Sequence, residues 1–513
     1  MITIVEFTCS PEEAKDEVSL QNLIRTHSGK SFPYFRWKKR SIDARSRNIK
    51  INATFECSDE PLNSLVPSYD FKNVSDAPEI HIIGAGPAGL FAALRALELG
   101  YKPIVFERGK DVRARRRDLA RISREQQVDE ESNYCYGEGG AGTYSDGKLY
   151  TRSKKRGDVD KVLRMLVYFG ANEDILVDAH PHIGTNKLPN IISKIRQTIQ
   201  AFGGEIHFSS KLTQLKRNGN IIQSIQINND YWLNVNTLIL ATGHSARDVF
   251  HLLHNNHIKI LAKPFALGVR IEHAQKLIDQ LQYHGRTNDA HLPPASYSLV
   301  TQVEGKGVYS FCMCPGGIIA PCATANGEVV TNGWSPSKRN NPYSNSGIVV
   351  SIDPDDFKNP EDPFVCLNFQ QEIERSCYEA TGDNQKVPAQ RMKDFVEGKL
   401  STDFPRTSYT PGIVSVRLDN LLPAFISKRL QKAFLDFEKK MPGYYTNDAV
   451  IHAPESRTSS PILVPRDREK LHHVDITNLY PCAEGAGYAG GIVSAAIDGM
   501  NCVEAMGVQM RRS

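Results

Sequence analysis

The chain lacks any large excess of charge. Its 62 basic and 58 acidic side chains leave a formal net charge of +4 over 513 residues, a balance that argues neither for nor against a nucleic-acid partner. Met1-Ile-Thr-Ile-Val-Glu-Phe7 has neither a basic start nor a cleavable apolar region, so no export leader is expected. One long uncharged window exists, Gly307 to Gly327, but Pro315, Pro321 and several glycines interrupt it. That composition suits a buried loop lining a site better than a membrane span. The ten cysteines are scattered from Cys9 to Cys502, which fits reduced thiols better than a disulfide framework. No compact set of four ligands marks a metal site. The chain is therefore read as cytoplasmic, without membrane or metal. At 40% apolar and 23% charged residues it is long enough for two or three domains.

Glycine, by contrast, is concentrated where it matters. His81-Ile-Ile-Gly-Ala-Gly-Pro-Ala-Gly-Leu90 runs from an apolar strand through Gly84-x-Gly86-x-x-Gly89 into a helix rich in Ala and Leu. A second apolar run, Pro103–Phe106, ends at Glu107, 23 residues after Gly84. This is the spacing of a βαβ unit for an adenine dinucleotide. Gly84 permits the tight turn, Gly86 admits a pyrophosphate, and Gly89 lets helix and strand pack. Pro87 and Ala88 open the helix whose N–H groups meet the phosphates, and Glu107 with Arg108 faces the ribose. Only one such βαβ unit occurs, so no permanent second dinucleotide domain is expected.

Other segments follow the same logic. Asn133–Leu149 carries glycines at 137, 139, 140 and 142, too dense for a helix or strand interior. Close approach to a ligand is the natural use of Gly139, Gly140 and Thr143, with a plain turn as the alternative. Ala241-Thr242-Gly243 ends an apolar strand with small residues where a cofactor crosses a sheet edge. Residues 1–75 read as a small α/β domain, with a helix from Ser10-Pro11 to about Thr26 and strands at 32–42 and 49–57. Arg36 to Arg47 form a basic strand region with Trp37, read either as a solvated or domain-contact face or as an RNA contact. The run from Lys110 to Arg124 reads as a solvated basic helix or an entry path for an anion. The expected architecture is α/β: a Rossmann-like FAD/NAD(P)-binding domain over 76–258 and 446–513, an inserted mixed α/β substrate domain over 259–445, and the small N-terminal domain.

Taken with Ser41–Arg45, Arg457-Thr-Ser-Ser-Pro461 and Gly485-Ala-Gly-Tyr-Ala-Gly-Gly491, these segments resemble glutathione-reductase-like flavoproteins with two dinucleotide-binding domains. More closely, the chain resembles poorly characterised FAD-dependent dehydrogenases with an extra N-terminal domain. The resemblance implies FAD, with Gly84, Gly86 and Gly89 at its pyrophosphate and Glu107 at its ribose. It places Gly139, Gly140 and Thr143 along the pyrophosphate and ribityl chain. Where many relatives have Gly-Asp, this chain has Ala483-Glu484, so Glu484 and Gly485 take that place. Gly490 and Gly491, at the start of a helical run, are candidates for backbone contacts to the isoalloxazine.

The flavin carries the hydride chemistry, so the protein needs an oriented pocket and a proton donor at most. Arg457 is a candidate clamp for a substrate carboxylate or carbonyl, or else a structural ion pair with Glu455 or Asp467. Cys312 and Cys314 are candidates for a redox role against the alternative of small buried fillers, and Cys482 is a further candidate. Arg270 and His273 are read as a satisfied surface helix start, with lining of an interdomain cleft as the alternative. The expected activity is an FAD-dependent oxidoreductase acting on a small organic substrate, with NAD(P)H as a transient co-substrate. The alternative is a flavoprotein acting on RNA or another macromolecule through the basic N-terminal domain.

Overall fold

The computed structural model describes residues 2–151, 157–287 and 289–510. Its N-terminal part is a three-stranded antiparallel sheet in the order Thr3–Cys9, Lys50–Ser58, Tyr34–Asp43. Helix Glu17–Ser28 packs on it through Leu20 and Ile24. Ser10 and Glu13 form the expected reciprocal cap, but it closes only a 3-10 turn at Glu13–Lys15. The helix itself starts after Asp16, whose carboxylate accepts from the Ser19 N–H. In the basic strand, Arg36 and Lys38 pair with Glu56, Arg45 pairs with Asp43, and Arg40 reaches Asp174 and Asp178 of the main body. Four of its six cations are thus engaged within the chain.

The central sheet has five parallel strands: Leu479–Pro481, Leu238–Leu240, Glu79–Ile83, Lys102–Phe106 and Glu205–His207. Numbered in chain order and read from the Glu205–His207 edge, the order is 3-2-1-4-5, that of a doubly wound fold. Strands buried on both faces must be apolar throughout, and Ile80, Ile82, Val105 and Ile239 are completely covered. Helices Pro87–Leu99, Val159–Tyr168, Leu188–Ala201 and Ile492–Met510 share one core on one face. The meander Leu212–Asn218, Ile221–Ile227, Tyr231–Asn234 and helix Arg247–Asn255 build another.

The remaining large sheet has seven strands. Its order is Val300–Val303, Lys306–Cys314, Tyr343–Ile352, Phe265–Ala274, Val450–Glu455, Val387–Arg391, Ile413–Ser415, with helices Val365–Glu379 and Ala424–Lys440 contributing to its core. Val450–Glu455 pairs with Phe265–Ala274 and Val387–Arg391, so the chain does not re-enter the parallel sheet near residue 446 as expected. It does so only at Leu479–Pro481. An apolar buried strand reads alike in either sheet, and periodicity cannot choose between them. Arg270 and His273 are likewise not a helix start: they lie inside the fully buried part of Phe265–Ala274. The uncharged window becomes strands Lys306–Cys314 and Ile318–Pro321. Among the described residues no helix is long and apolar enough to cross a membrane.

Helices Pro87–Leu99 and Ile492–Met510 cross so closely that a Cβ on Gly499 would sit 2.1 Å from the Ala88 carbonyl oxygen. Gly499→Ala is therefore expected to destabilise the chain by about 1–3 kcal/mol through overpacking. Denaturant unfolding measures this, and an unchanged midpoint would refute the close crossing.

Candidate functional site

At the carboxyl ends of the parallel strands a long cleft opens, with a cavity volume of about 340 Å³. It lies between the ends of Glu79–Ile83 and Leu238–Leu240, where the strand order reverses and ligands of such sheets bind. The two ends meet so tightly that a Cβ on Gly84 would lie 2.4 Å from the Ala241 carbonyl oxygen. Gly84 also takes φ +104, which favours glycine. Helix Pro87–Leu99 starts at this cleft without a side-chain cap on Gly86, so its positive end faces the opening.

One end of the cleft is built around Glu107. Its Oε2 accepts from the Ala85 N–H at 2.8 Å, and its Oε1 accepts from Gly109 and Gly137 N–H groups at 2.9 Å each. The carboxylate thus ties the first glycine turn to two other loops, and acceptor capacity remains for a ligand hydroxyl. Arg108 beside it pairs with Glu131 and Asp248 and stacks over Tyr136 at 4.1 Å. The glycine-rich loop is fastened from behind by Arg115. This guanidinium has no exposure and donates to the carbonyls of Asn133, Tyr134, Glu138 and Gly140 at 2.7–2.9 Å. Arg115 therefore departs from the solvated helix face expected of it, because the loop's carbonyls need buried donors.

The cleft is further lined by Lys148, Tyr150, Phe311, Cys312, Asn332, Arg457, Gly490 and Gly491. Lys148 Nζ lies 3.1 Å from Asp146, 3.7 Å from Cys312 Sγ and 3.5 Å from Cys314 Sγ. Desolvation works against the ammonium, yet the two sulfurs and Asp146 outweigh it and hold its pKa up. Behind the sulfurs, fully buried Arg270 binds Glu455 with two hydrogen bonds of 2.7 and 2.9 Å and Asn345 at 2.7 Å. Helix Ile492–Met510 begins here, and a Cβ on Gly490 or Gly491 would meet nothing within 4 Å.

Arg457 lines the cleft, but its guanidinium is committed elsewhere. It binds Glu374 through Nε and Nη2 at 2.9 Å each and Thr324 at 2.8 Å. Arg247 joins the same cluster, at 2.5 Å from Glu374 and 2.7 Å from Glu328. The partner is neither Glu455 nor Asp467, the two candidates offered by sequence. Glu374 sits far away in the chain, on a helix whose packing only the fold reveals. Burial alone would raise the Glu374 pKa, but Arg457 and Arg247 bring it down to about 2.

Of the residues singled out by sequence, Gly84, Gly86, Pro87, Ala88, Glu107, Arg108, Gly140, Ala241, Thr242, Gly243, Glu484, Gly490, Gly491, Cys312 and Arg457 all line this cleft. Gly89, Gly139, Thr143, Gly485 and Cys314 stand behind its wall. A Cβ on Gly89 would come 1.9 Å from the Gly84 carbonyl oxygen, and one on Gly485 would come 2.6 Å from that of Gly243. The Gly139 Cβ position is filled by Thr143 and Ile192, while Thr143 is buried and donates to the Glu138 carbonyl. Cys482 is buried near Cys502, Asp498 and Arg466, away from the cleft. That cluster is no evident metal site, since Asp498 is already paired with Arg466 at 2.6 Å. Sequence reasoning offered Asp146 with Thr143 and Ser145 as polar groups for a ligand, read Arg115 as part of a solvated or anion-entry helix, and assigned no role to Lys148. The dense glycines around 137–147 were the available signal.

Residues 264–458 match the family described as FAD-dependent protein, C-terminal domain-like, and residues 1–58 match a domain of unknown function (DUF8436). An uncharacterized protein of Clostridium beijerinckii is 38% identical over 487 residues, covering 91% of each chain. Among solved structures, CtdE in complex with FAD is 10% identical, covers 84% of each chain and has a TM-score of 0.34. Glycine oxidase from Bacillus cereus is 11% identical over 84% of this chain and 95% of its own, with a TM-score of 0.31. Scores this low leave the reading of the cleft to its own geometry.

The buried cluster generates a pH-dependent expectation. The Glu374 pKa falls from 4.5 to about 2 on folding, so its stabilisation is complete above pH 4.5 and is lost as pH falls toward 2. Glu374→Gln, which strands two buried cations, is expected to cost about 3–5 kcal/mol at neutral pH. The gap between wild type and variant should narrow as unfolding is followed from about pH 4.5 toward 2. A gap that stays constant would sink the assignment.

Proposed function

The chain belongs to one family with the Clostridium beijerinckii protein, and on that premise we propose that it is an FAD-dependent oxidoreductase whose flavin lies along the cleft. The observation that carries this reading is the cleft itself. It is lined by glycines from several separate loops, sits at the reversal of strand order, and has the starts of helices Pro87–Leu99 and Ile492–Met510 opening onto it. In this reading Glu107 and Arg108 face the adenosine ribose. Gly84, Gly86 and Ala88 present backbone to the pyrophosphate at a helix N-terminus. Gly140 and Glu484 flank the ribityl region, with Gly89, Gly139, Thr143 and Gly485 as supports behind them. Bound FAD supplies a two-electron carrier that exchanges hydride with substrate.

The chain's own residues then have defined tasks. Gly490 and Gly491 leave room for a planar ring and place the positive end of helix Ile492–Met510 beside it, which favours the anionic reduced form. Lys148 gives the same end of the cleft a cation for an anionic or carbonyl-bearing substrate. Arg457, held by Glu374, shapes the wall through its stem and fixes the neighbouring Thr458 segment. The substrate is a small organic molecule, and NAD(P)H docks transiently as electron donor.

Gly490→Ala separates cofactor binding from stability, because the added Cβ meets no protein atom within 4 Å but enters the cleft. The variant should unfold with the wild-type midpoint while binding FAD at least about tenfold more weakly, a difference of about 1.4 kcal/mol. The wild-type protein should purify yellow and bleach anaerobically with NADH, NADPH or a member of a metabolite panel. Colourless protein from riboflavin-replete cells that gains no thermal stability from added FAD would overturn the proposal.

A further inference from the structure

Strand Lys306–Cys314 contains an irregularity that ordinary strand packing does not require. Phe311 pairs with Gly347 and Cys314 with Asn345, so three steps on one strand face two on the other, a β-bulge. Within it Cys312 takes φ +46, a left-handed conformation that is strained for a residue with a side chain. Such strain persists where the surroundings over-determine it, and it clusters at functional sites. Here its result is specific: both sulfurs come within 3.7 Å of one Lys148 Nζ. The Cys314 thiol also lies 3.2 Å from the Cys312 carbonyl oxygen. Cys312 reaches the cleft wall and Cys314 stays buried behind it.

We infer that Cys312 and Cys314 form a dithiol–disulfide couple at the flavin end of the cleft, with Lys148 as counter-ion to the ionised sulfur. The inference rests on the flavin reading for its electron partner but not for its thiol chemistry. On oxidation the Cys312 thiolate and the Cys314 thiol form one S–S bond and the Cys314 S–H bond breaks. The two electrons and one proton released by the thiols would be taken up by the FAD held in this cleft, and the disulfide would regain them in the reverse direction. The electrostatics agree in direction. The hydrogen bond from Cys314 does most to keep the Cys312 thiol well below its ordinary pKa, with Lys148 and Arg270 adding to it against burial. Asp146 opposes it, but that carboxylate is itself shared with Lys148 and with Arg339 at 2.8 Å.

Thiol reactivity tests the couple without any flavin. In the FAD-free protein iodoacetamide should label Cys312 at neutral pH faster than Cys135, a half-buried thiol on the same cleft. Lys148→Met should slow that labelling about tenfold. Mild oxidation with diamide should link Cys312 to Cys314, read as a peptide lighter by two hydrogens, and Cys314→Ser should form no such link. In the oxidised yellow protein, anaerobic dithionite titration should consume two electron pairs per FAD, against one pair in Cys314→Ser. Failure to bridge under diamide, or labelling of Cys312 no faster than Cys135, would overturn the couple. Because yellow colour and FAD-induced thermal stabilisation are read separately on the wild-type protein, its failure stays distinguishable from failure of the flavin reading.

Discussion

A single carboxylate holds the candidate site in shape. Glu107 accepts backbone hydrogen bonds from Ala85, Gly109 and Gly137, which belong to three loops with no ladder partners of their own. Loops at the ends of parallel strands expose polar backbone that burial would penalise by about 1–3 kcal/mol per unmet group. Arg115 answers the same demand from the carbonyl side, binding four of them with a guanidinium that no solvent reaches. Between them an acid and a base turn glycine-rich loops into a fixed wall. The glycines can then leave their Cβ positions empty for a ligand without the loops collapsing.

A second electrostatic device joins the halves of the molecule. Arg247, on a helix of the parallel-sheet half, meets Glu374 and Glu328, which also engage Arg457. Such a cluster adds little net stability over an apolar contact, but breaking it strands buried charge. Its value lies in register. It sets how the end of Val450–Glu455 approaches the cleft, and so positions Arg457 and Thr458 on the wall. At the same end Arg270 and Glu455 perform that service inside the seven-stranded sheet, directly behind the two cysteines.

Legibility followed the range of the interactions. The βαβ unit, the meander, the helices near 159–168 and 188–201 and the strands around 265 and 347 were all readable from hydrophobic period and turn residues. Fifteen singled-out residues come to one cleft because glycine clusters and strand-end positions are local signals. The partners of Arg457 and Arg270 were not readable, since charge pairs more than 80 and 180 positions apart leave no periodicity. The sheet to which Val450–Glu455 belongs was equally hidden. A continuous apolar run says that a strand is buried, not between which neighbours.

The sequence by itself determined the kind of elements, the glycine turns and the acidic residue closing the first βαβ unit, because backbone freedom and side-chain period are properties of neighbouring residues. Only the tertiary structure decided that Arg115 is a loop anchor instead of a solvated side chain, that Glu374 neutralises Arg457, and that Lys148 stands between two sulfurs from a distant strand. Those outcomes depend on which distant groups burial forces together, and buried charge and backbone must find partners wherever packing delivers them.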